Sequence, residues 1–217
     1  MSHVNFRLLF FTFACVLSLS ACNKGFTLRI GDQDLFAFGS QQACNFVQNS
    51  QGIRVSWKSS VPIHLIITSS VPLEFDASII KAAQTWNSRA SNLIEVHRDN
   101  SYTATPSSDG INGIYWMSDW SEDQGAEQAR TSIKWEISKI QEADIKVNAK
   151  NFRFYSTGSA NSAGRVNLES LMLHEFGHAV GLRHISNLTS VMQPNLGSSV
   201  DRNNPGDVDA TSLNCEY

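Results

Sequence analysis

The run His174-Glu175-Phe176-Gly177-His178-Ala179-Val180-Gly181-Leu182-Arg183-His184 places three imidazoles at i, i+4 and i+10, with a carboxylate beside the first. Three neutral histidines suit a zinc ion and leave it one open coordination position, which separates catalytic from structural zinc. Water held at such a position has a pKa of about 7, against about 16 in bulk. Glu175 follows the first candidate ligand by one residue, so it points beside the ion and not at it. That is the place for a general base that takes the proton of the attacking water and passes it to a leaving amine.

The spacing demands a particular local fold. An α-helix advances about 100° per residue, so His174 and His178 lie about 40° apart on one face, one turn along. His184 would lie roughly 240° round from His178 if the helix continued, and would miss the ion. The helix must therefore stop between them. Gly181 allows this, because glycine enters the left-handed region at a helix C-terminus without a Cβ penalty. Asn167 is the expected N-cap, giving an active-site helix over 168 to about 180.

A second motif follows as Ser190-Val191-Met192-Gln193-Pro194. Together the two motifs resemble the metzincin zinc endopeptidases, whose long histidine motif precedes a methionine-containing turn. Within that clan the chain is most similar to the matrixins, since methionine falls eight residues after the third histidine and Met-x-Pro follows. The resemblance implies that His174, His178 and His184 hold one catalytic zinc, that Glu175 is catalytic, and that Met192 is an apolar floor beneath the metal with Pro194 at the site. Ile185 departs from the serine usual after the third histidine in matrixins. The implied fold is α+β: a twisted mixed sheet with a long first helix and an active-site helix, then a small irregular C-terminal subdomain with a short final helix. The implied substrate is a protein or peptide lying extended against an edge strand. We place that edge near 152–157, and the primary specificity pocket between the active-site helix and residues 194–196. Matrixins often carry a second, structural zinc in the loop before the active-site helix. Here residues 148–167 contain no histidine, aspartate or glutamate, so that site cannot be built in the usual way. For calcium, Asp119, Glu122, Asp123 and Glu127 offer oxygen atoms, but a solvated acidic loop is the favoured reading.

The elements that must position these residues have their own signals. Residues 53–58 (IRVSWK) and 63–68 (IHLIIT) read as strands separated by a turn. Asp76 reads as the N-cap of a helix over about 77–90, with Ile79, Ile80, Ala83 and Trp86 as its apolar stripe. Strand-like runs follow at 92–97, 113–117 and 143–147, with Ile133, Trp135 and Ile137 alternating with polar residues. Phe152, Phe154 and Ser156 read as one face of a further strand, and a short final helix ends near Cys215. His64 and His97 read as ordinary packed or surface residues.

The start of the chain is read as export machinery. Residues 8–19 (LLFFTFACVLSL) are apolar and too short to span a bilayer, so 1–21 is expected to be a secretory signal. Leu19-Ser20-Ala21-Cys22 resembles a bacterial lipobox, in which Cys22 is lipidated. Ordinary signal cleavage with Cys22 as a free thiol is the alternative. Residues 22–50 are expected to form a tether and N-terminal segment, and 51–217 the catalytic domain, with its cleft between 51–181 and 182–217. The protein is thus expected in the cell envelope, anchored to a membrane by its lipid, or secreted if Cys22 is not modified. Of four cysteines, Cys15 leaves with the signal and Cys22 takes the lipid. Cys44 and Cys215 remain to pair in an oxidising compartment. A zinc-bound inhibitory role for Cys44 is the competing idea, but no matching pro-segment motif surrounds it.

The chain of 217 residues is 41% hydrophobic, which is enough for one domain with a sizeable core. A net charge of −3 and the lack of any basic run argue against nucleic acid as a partner, and a monomer is expected. Three functions compete: a zinc endopeptidase, a catalytically silent zinc-stabilised surface-binding module, and a zinc hydrolase acting on a non-peptide bond. The presence of Glu175 favours catalysis over the silent module.

Overall fold

The computed structural model describes residues 26–29, 44–102, 105–160 and 162–217. The expected signal, Cys22 and most of the expected tether lie outside the described residues. The elements are β1 (Phe26–Arg29), β2 (Ile63–Thr68), α1 (Asp76–Asn87), β3 (Ile94–Asp99), β4 (Gly113–Met117), β5 (Ala129–Glu136), β6 (Lys139–Asn148), β7 (Phe154–Tyr155), β8 (Val166–Asn167), α2 (Leu168–Ala179) and α3 (Asp207–Leu213).

Six strands form one mixed sheet in the order β1-β5-β6-β4-β2-β3. The pairs β2/β3, β2/β4 and β4/β6 are parallel, while β5 runs antiparallel to β6 and β1 antiparallel to β5. Strand alternation sets which face is buried. Ile63, Leu65 and Ile67 of β2 point into the core with Ile114, Ile133, Ala143, Ile145 and Val147, whereas His64 is exposed. α1 and α2 pack against each other, and α2 also packs on β5. Trp86 of α1 is fully buried and its indole Nε1 donates to the Leu173 carbonyl at 2.8 Å. One side chain thus fills the inter-helix space and satisfies its polar handle.

Several expectations need correction. Residues 53–58 are not a strand. They make only single bridges, Gln48 with Arg54 and Ser56 with Lys139. Val55, Ser56 and Trp57 are all buried, so alternation gives way to burial on every side. Residues 44–50 do not belong to a tether: Phe46 and Val47 sit in the core, and Phe46 bridges Leu182. Asp76 is the first residue of α1, not its cap, and its carboxylate pairs with Arg98. The helix ends at Asn87, and Ala82 replaces the partly exposed Ile80 in its buried stripe. Ile137 does not continue β5. It turns the β5–β6 hairpin at φ 57° and is 81% exposed.

The expected edge strand at 152–157 reduces to the two residues of β7, which pair in parallel with β8 before α2. The long β5, second in the sheet, instead lies beside α2. β1 covers its outer side from Ser132 to Trp135, and among the described residues no strand covers Ala129–Thr131 on that side.

Candidate metal centre

α2 begins as its sequence dictates. Asn167 is extended, and its side-chain oxygen accepts from the Ser170 amide at 2.8 Å, satisfying one of the unpaired amides of the first turn. The helix stops at Ala179, and the Gly181 amide donates to the His178 carbonyl at 2.9 Å. Gly181 has φ +104°, and a Cβ there would lie 2.5 Å from the Val55 carbonyl oxygen. Conformation and space both require glycine at this position. The chain that turns here is held by residues far away in sequence. Val47 N donates to Gly181 O and Arg183 N to Asn45 O, both at 2.8 Å, and Asn45 Nδ2 donates to Arg183 O at 2.6 Å.

This turn carries His184 back to the other two histidines. The Nε2 atoms of His174, His178 and His184 form a triangle with all three sides 3.1 Å. Backbone carbonyls hold two of the rings from behind. His174 Nδ1 lies 2.8 Å from Val191 O, and His178 Nδ1 lies 2.8 Å from Leu182 O. A carbonyl can only accept, so these partners assign the proton to Nδ1 and leave Nε2 as a bare lone pair. Burial pushes the His174 imidazole down to about 3, with His184 beside it acting the same way. Burial likewise holds His178 well below its ordinary value. Neutral lone pairs aimed at one point repel unless a cation lies between them. Three neutral imidazole nitrogens are a donor set that would fit zinc. Among the described residues, this is the group of three ligating side chains close enough to share an ion.

The floor beneath the histidines comes from the second motif. Met192 is fully buried, and its sulfur lies so close to Gly177 that a Cβ there would approach it to 2.2 Å. Gly177 is thus the small residue that lets the methionine turn sit under α2. Ile185, the departure from the matrixin pattern, donates its amide to Met192 O at 3.0 Å and packs on the core. Asp209 of α3 is buried and clamps the turn: it accepts from Ser190 Oγ at 2.5 Å, Val191 N at 3.0 Å and Gly206 N at 2.9 Å.

Glu175 is 4% exposed. Burial pushes its carboxyl up to about 7, against the opposing hydrogen bond from Thr131. It lines one cleft together with the three histidines, Leu171, residues 126–129 and residues 193–196.

The family model described as Matrixin matches residues 68–214. The chain belongs to the matrixin family. It shares that family's character as a zinc metallopeptidase, and zinc is the ion the family implies for the three histidines. No curated protein matches the chain.

In this matrixin the residues expected at the specificity pocket, Pro194 to Leu196, do line the cleft beside α2. Pro194 is at the rim and exposed, while Met192 is beneath. Cys44 and Cys215 are joined in a disulfide, with Cα atoms 6.0 Å apart across 171 residues of sequence. The four acidic residues weighed for calcium do not act together. Glu127 pairs with Arg130, and Asp119 lies in solvent 3.9 Å from Lys150. His64 lies 3.1 Å from Glu95 at the surface, away from the histidine triangle.

Sequence reading missed Thr131, Gly177, Gln128 and Asp209. Gly177 carried a legible signal, a glycine inside a helix that otherwise favours larger residues. The others have none in their neighbouring residues, because each meets its partner from a separate element.

Proposed function

We propose that this matrixin is an endopeptidase that uses Glu175 as its general base on extended protein substrates. The observation that carries this reading is a buried carboxylate on the same helix as His174 and His178, lining the same cleft as all three histidines. When bound by His174, His178 and His184, zinc supplies Lewis acidity toward a water and the scissile carbonyl. Glu175 accepts the water proton as the water oxygen bonds to the carbonyl carbon. It then delivers that proton to the amide nitrogen as the C–N bond breaks, so no further acid is needed. A carboxyl pushed up towards 7 by burial is matched to holding and releasing a proton near neutral pH.

Ala129–Thr131 offers backbone groups on a side of β5 that no described strand pairs, where an extended substrate would add as a strand. β1 pairs along the same edge at Ser132–Trp135, which supports the capacity of this edge for strand addition. Leu171 and Leu196 supply apolar lining for the side chain that enters beside α2. Glu175→Ala should keep its zinc and lose chelator-sensitive cleavage of casein by at least about 100-fold, the range of a general base. Full activity in a zinc-loaded Glu175→Ala protein would remove Glu175 from the mechanism.

The proposal includes place. An apolar leader ending in Leu19-Ser20-Ala21-Cys22 and the pairing of Cys44 with Cys215 support an exported enzyme held to a membrane through lipid on Cys22. Mass spectrometry of the purified membrane fraction should find a diacylglyceryl group on Cys22. An unmodified Cys22 in that fraction would end the lipid reading and leave the peptidase reading intact.

A further inference from the structure

The residue before the edge of the cleft closes on α2 is Thr131, and its side chain does something its position alone does not require. Thr131 lies in β5, fully buried, in register with Ile145 of the neighbouring β6. Its Oγ1 is 2.6 Å from Glu175 Oε2 and 3.2 Å from the Glu175 carbonyl oxygen. A threonine hydroxyl has a single proton, so the shorter contact takes it and the carboxylate oxygen accepts. The donor is stiff. A β-branched side chain in a strand has few χ1 choices, and this strand is paired on its β6 side along its whole length.

Glu175, by contrast, is a long side chain on a different element. Its carboxylate sits at the end of three carbon–carbon torsions, so its orientation depends on what holds the end of the chain. The hydroxyl holds that end by one oxygen. Oε1 has no hydrogen-bond partner among the described residues, and it is not among their sealed, unpartnered polar atoms. It therefore opens to the cleft that Glu175 lines. The two carboxylate oxygens are thus unequal. Oε2 already accepts the Thr131 hydroxyl on one of its lone pairs, which leaves Oε1 the more basic of the two. Oε1 is open to water.

We propose that Thr131 is a positioning residue for the general base: it donates to Glu175 Oε2 and so assigns proton transfer to Oε1. The arrangement serves both halves of the reaction. The hydroxyl donates to the carboxylate before the proton arrives. It still donates to Oε2, then the carbonyl oxygen of the acid, while Oε1 carries the proton to the amine. Nothing needs to rotate between the two transfers. This inference rests on the reading of Glu175 as the base.

The test uses the full-length zinc-loaded enzyme and a fluorogenic peptide selected for cleavage by the wild type. Thr131→Val keeps the shape and β-branch but removes the donor. It should lower kcat by roughly 10- to 100-fold, a part of what a general base contributes, with KM within about twofold and one zinc per chain. Thr131→Ser keeps the donor and should restore kcat to within about threefold. Thr131→Ala keeps the test open if valine disturbs the buried site, and should match the valine variant in kcat. A valine or alanine variant with wild-type kcat would overturn the proposal. So would a serine variant as slow as valine, or a loss of rate that follows lost zinc, since either would make Thr131 a packing residue only. If no fluorogenic peptide is cleaved by the zinc-loaded wild type, the peptidase reading fails first, and the role of Thr131 falls with it.

Discussion

The two walls of the cleft are built by different physics. Above it, β2–β6 with α1 and α2 form regular elements whose apolar faces meet, and their alternation and caps are visible residue by residue. Below it, residues 182–217 contain one helix of seven residues, α3. This lower wall is held largely by polar groups reaching backbone. Asp209 accepts from three donors around the methionine turn, and Arg202 donates to Asn195 O at 3.0 Å. Tyr217 Oη donates to Val180 O at 2.6 Å, and Cys215 is bonded to Cys44. Gln128 Nε2 crosses between the walls to Leu196 O at 2.8 Å. Yet both walls supply the metal centre. The upper wall gives His174, His178 and Glu175, and the lower gives His184 and the Val191 carbonyl behind His174. A segment too short for its own core can still hold a ligand precisely if its polar contacts are buried and satisfied.

The largest effect should come from removing one ligand from each wall. His178→Ala and His184→Ala should both abolish stable zinc binding, seen as a metal-to-protein ratio near zero after dialysis against a weak chelator. Retention of zinc by His184→Ala would detach the lower wall from the metal centre.

Next in size is the covalent tie. The Cys44–Cys215 loop of 171 residues lies in the range where cross-links contribute about 2–5 kcal/mol. Cys44→Ser with Cys215→Ser should lower the urea midpoint accordingly. The loss should appear first in protease sensitivity of the last residues, with the upper wall opening later. Equal sensitivity throughout would show that the two walls unfold as one unit.

Asp209→Ala should cost about 2–3 kcal/mol, because it strands buried donors that have no access to water. It should also weaken zinc binding, since the Val191 carbonyl loses its support. Ile145→Ala, in the upper wall, should cost a similar 2–5 kcal/mol by leaving a cavity, but with zinc affinity unchanged. If Asp209→Ala changed stability without touching zinc affinity, the clamp would be a structural device alone.

The smallest effect concerns pH. Burial pushes the Glu216 carboxyl up, but hydrogen bonds from Lys58, Ser56 and Arg54 outweigh it and hold it at about 2. Its folded value is below the ordinary 4.5, so between these values the unfolded chain binds more protons. The stabilisation is therefore complete above pH 4.5 and is lost as pH falls towards 2. Denaturation of metal-free protein between pH 5 and about 2 should show a slope that Glu216→Gln flattens. The metal-free form keeps histidine ligation out of the measurement. An unchanged slope in the glutamine variant would assign the acid sensitivity elsewhere.

The signals legible from residue order are local and repeat along the chain. The spacing of His174, His178 and His184, the cap at Asn167, the glycine that ends α2, and the strands at 63–68 and 113–117 were legible because each depends on neighbours within a turn or a strand. The pairing of Cys44 with Cys215 was legible by counting. Which distant residues meet is settled by the fold alone. Residues 44–58 read as a tether and a strand, but Phe46, Val47 and Val55 are buried against the turn at Gly181, because Asn45 and Val47 find hydrogen-bond partners more than a hundred residues away. Residues 152–157 hold only the two residues of β7, while Ala129 of β5 lines the cleft, since strand order decides which strand lies beside α2 and short-range alternation does not encode it. Thr131 and Asp209 look like ordinary polar residues in their own elements. Their hydroxyl and carboxylate matter because the fold buries them against Glu175 and the methionine turn, where a polar atom must find a partner or leave the structure.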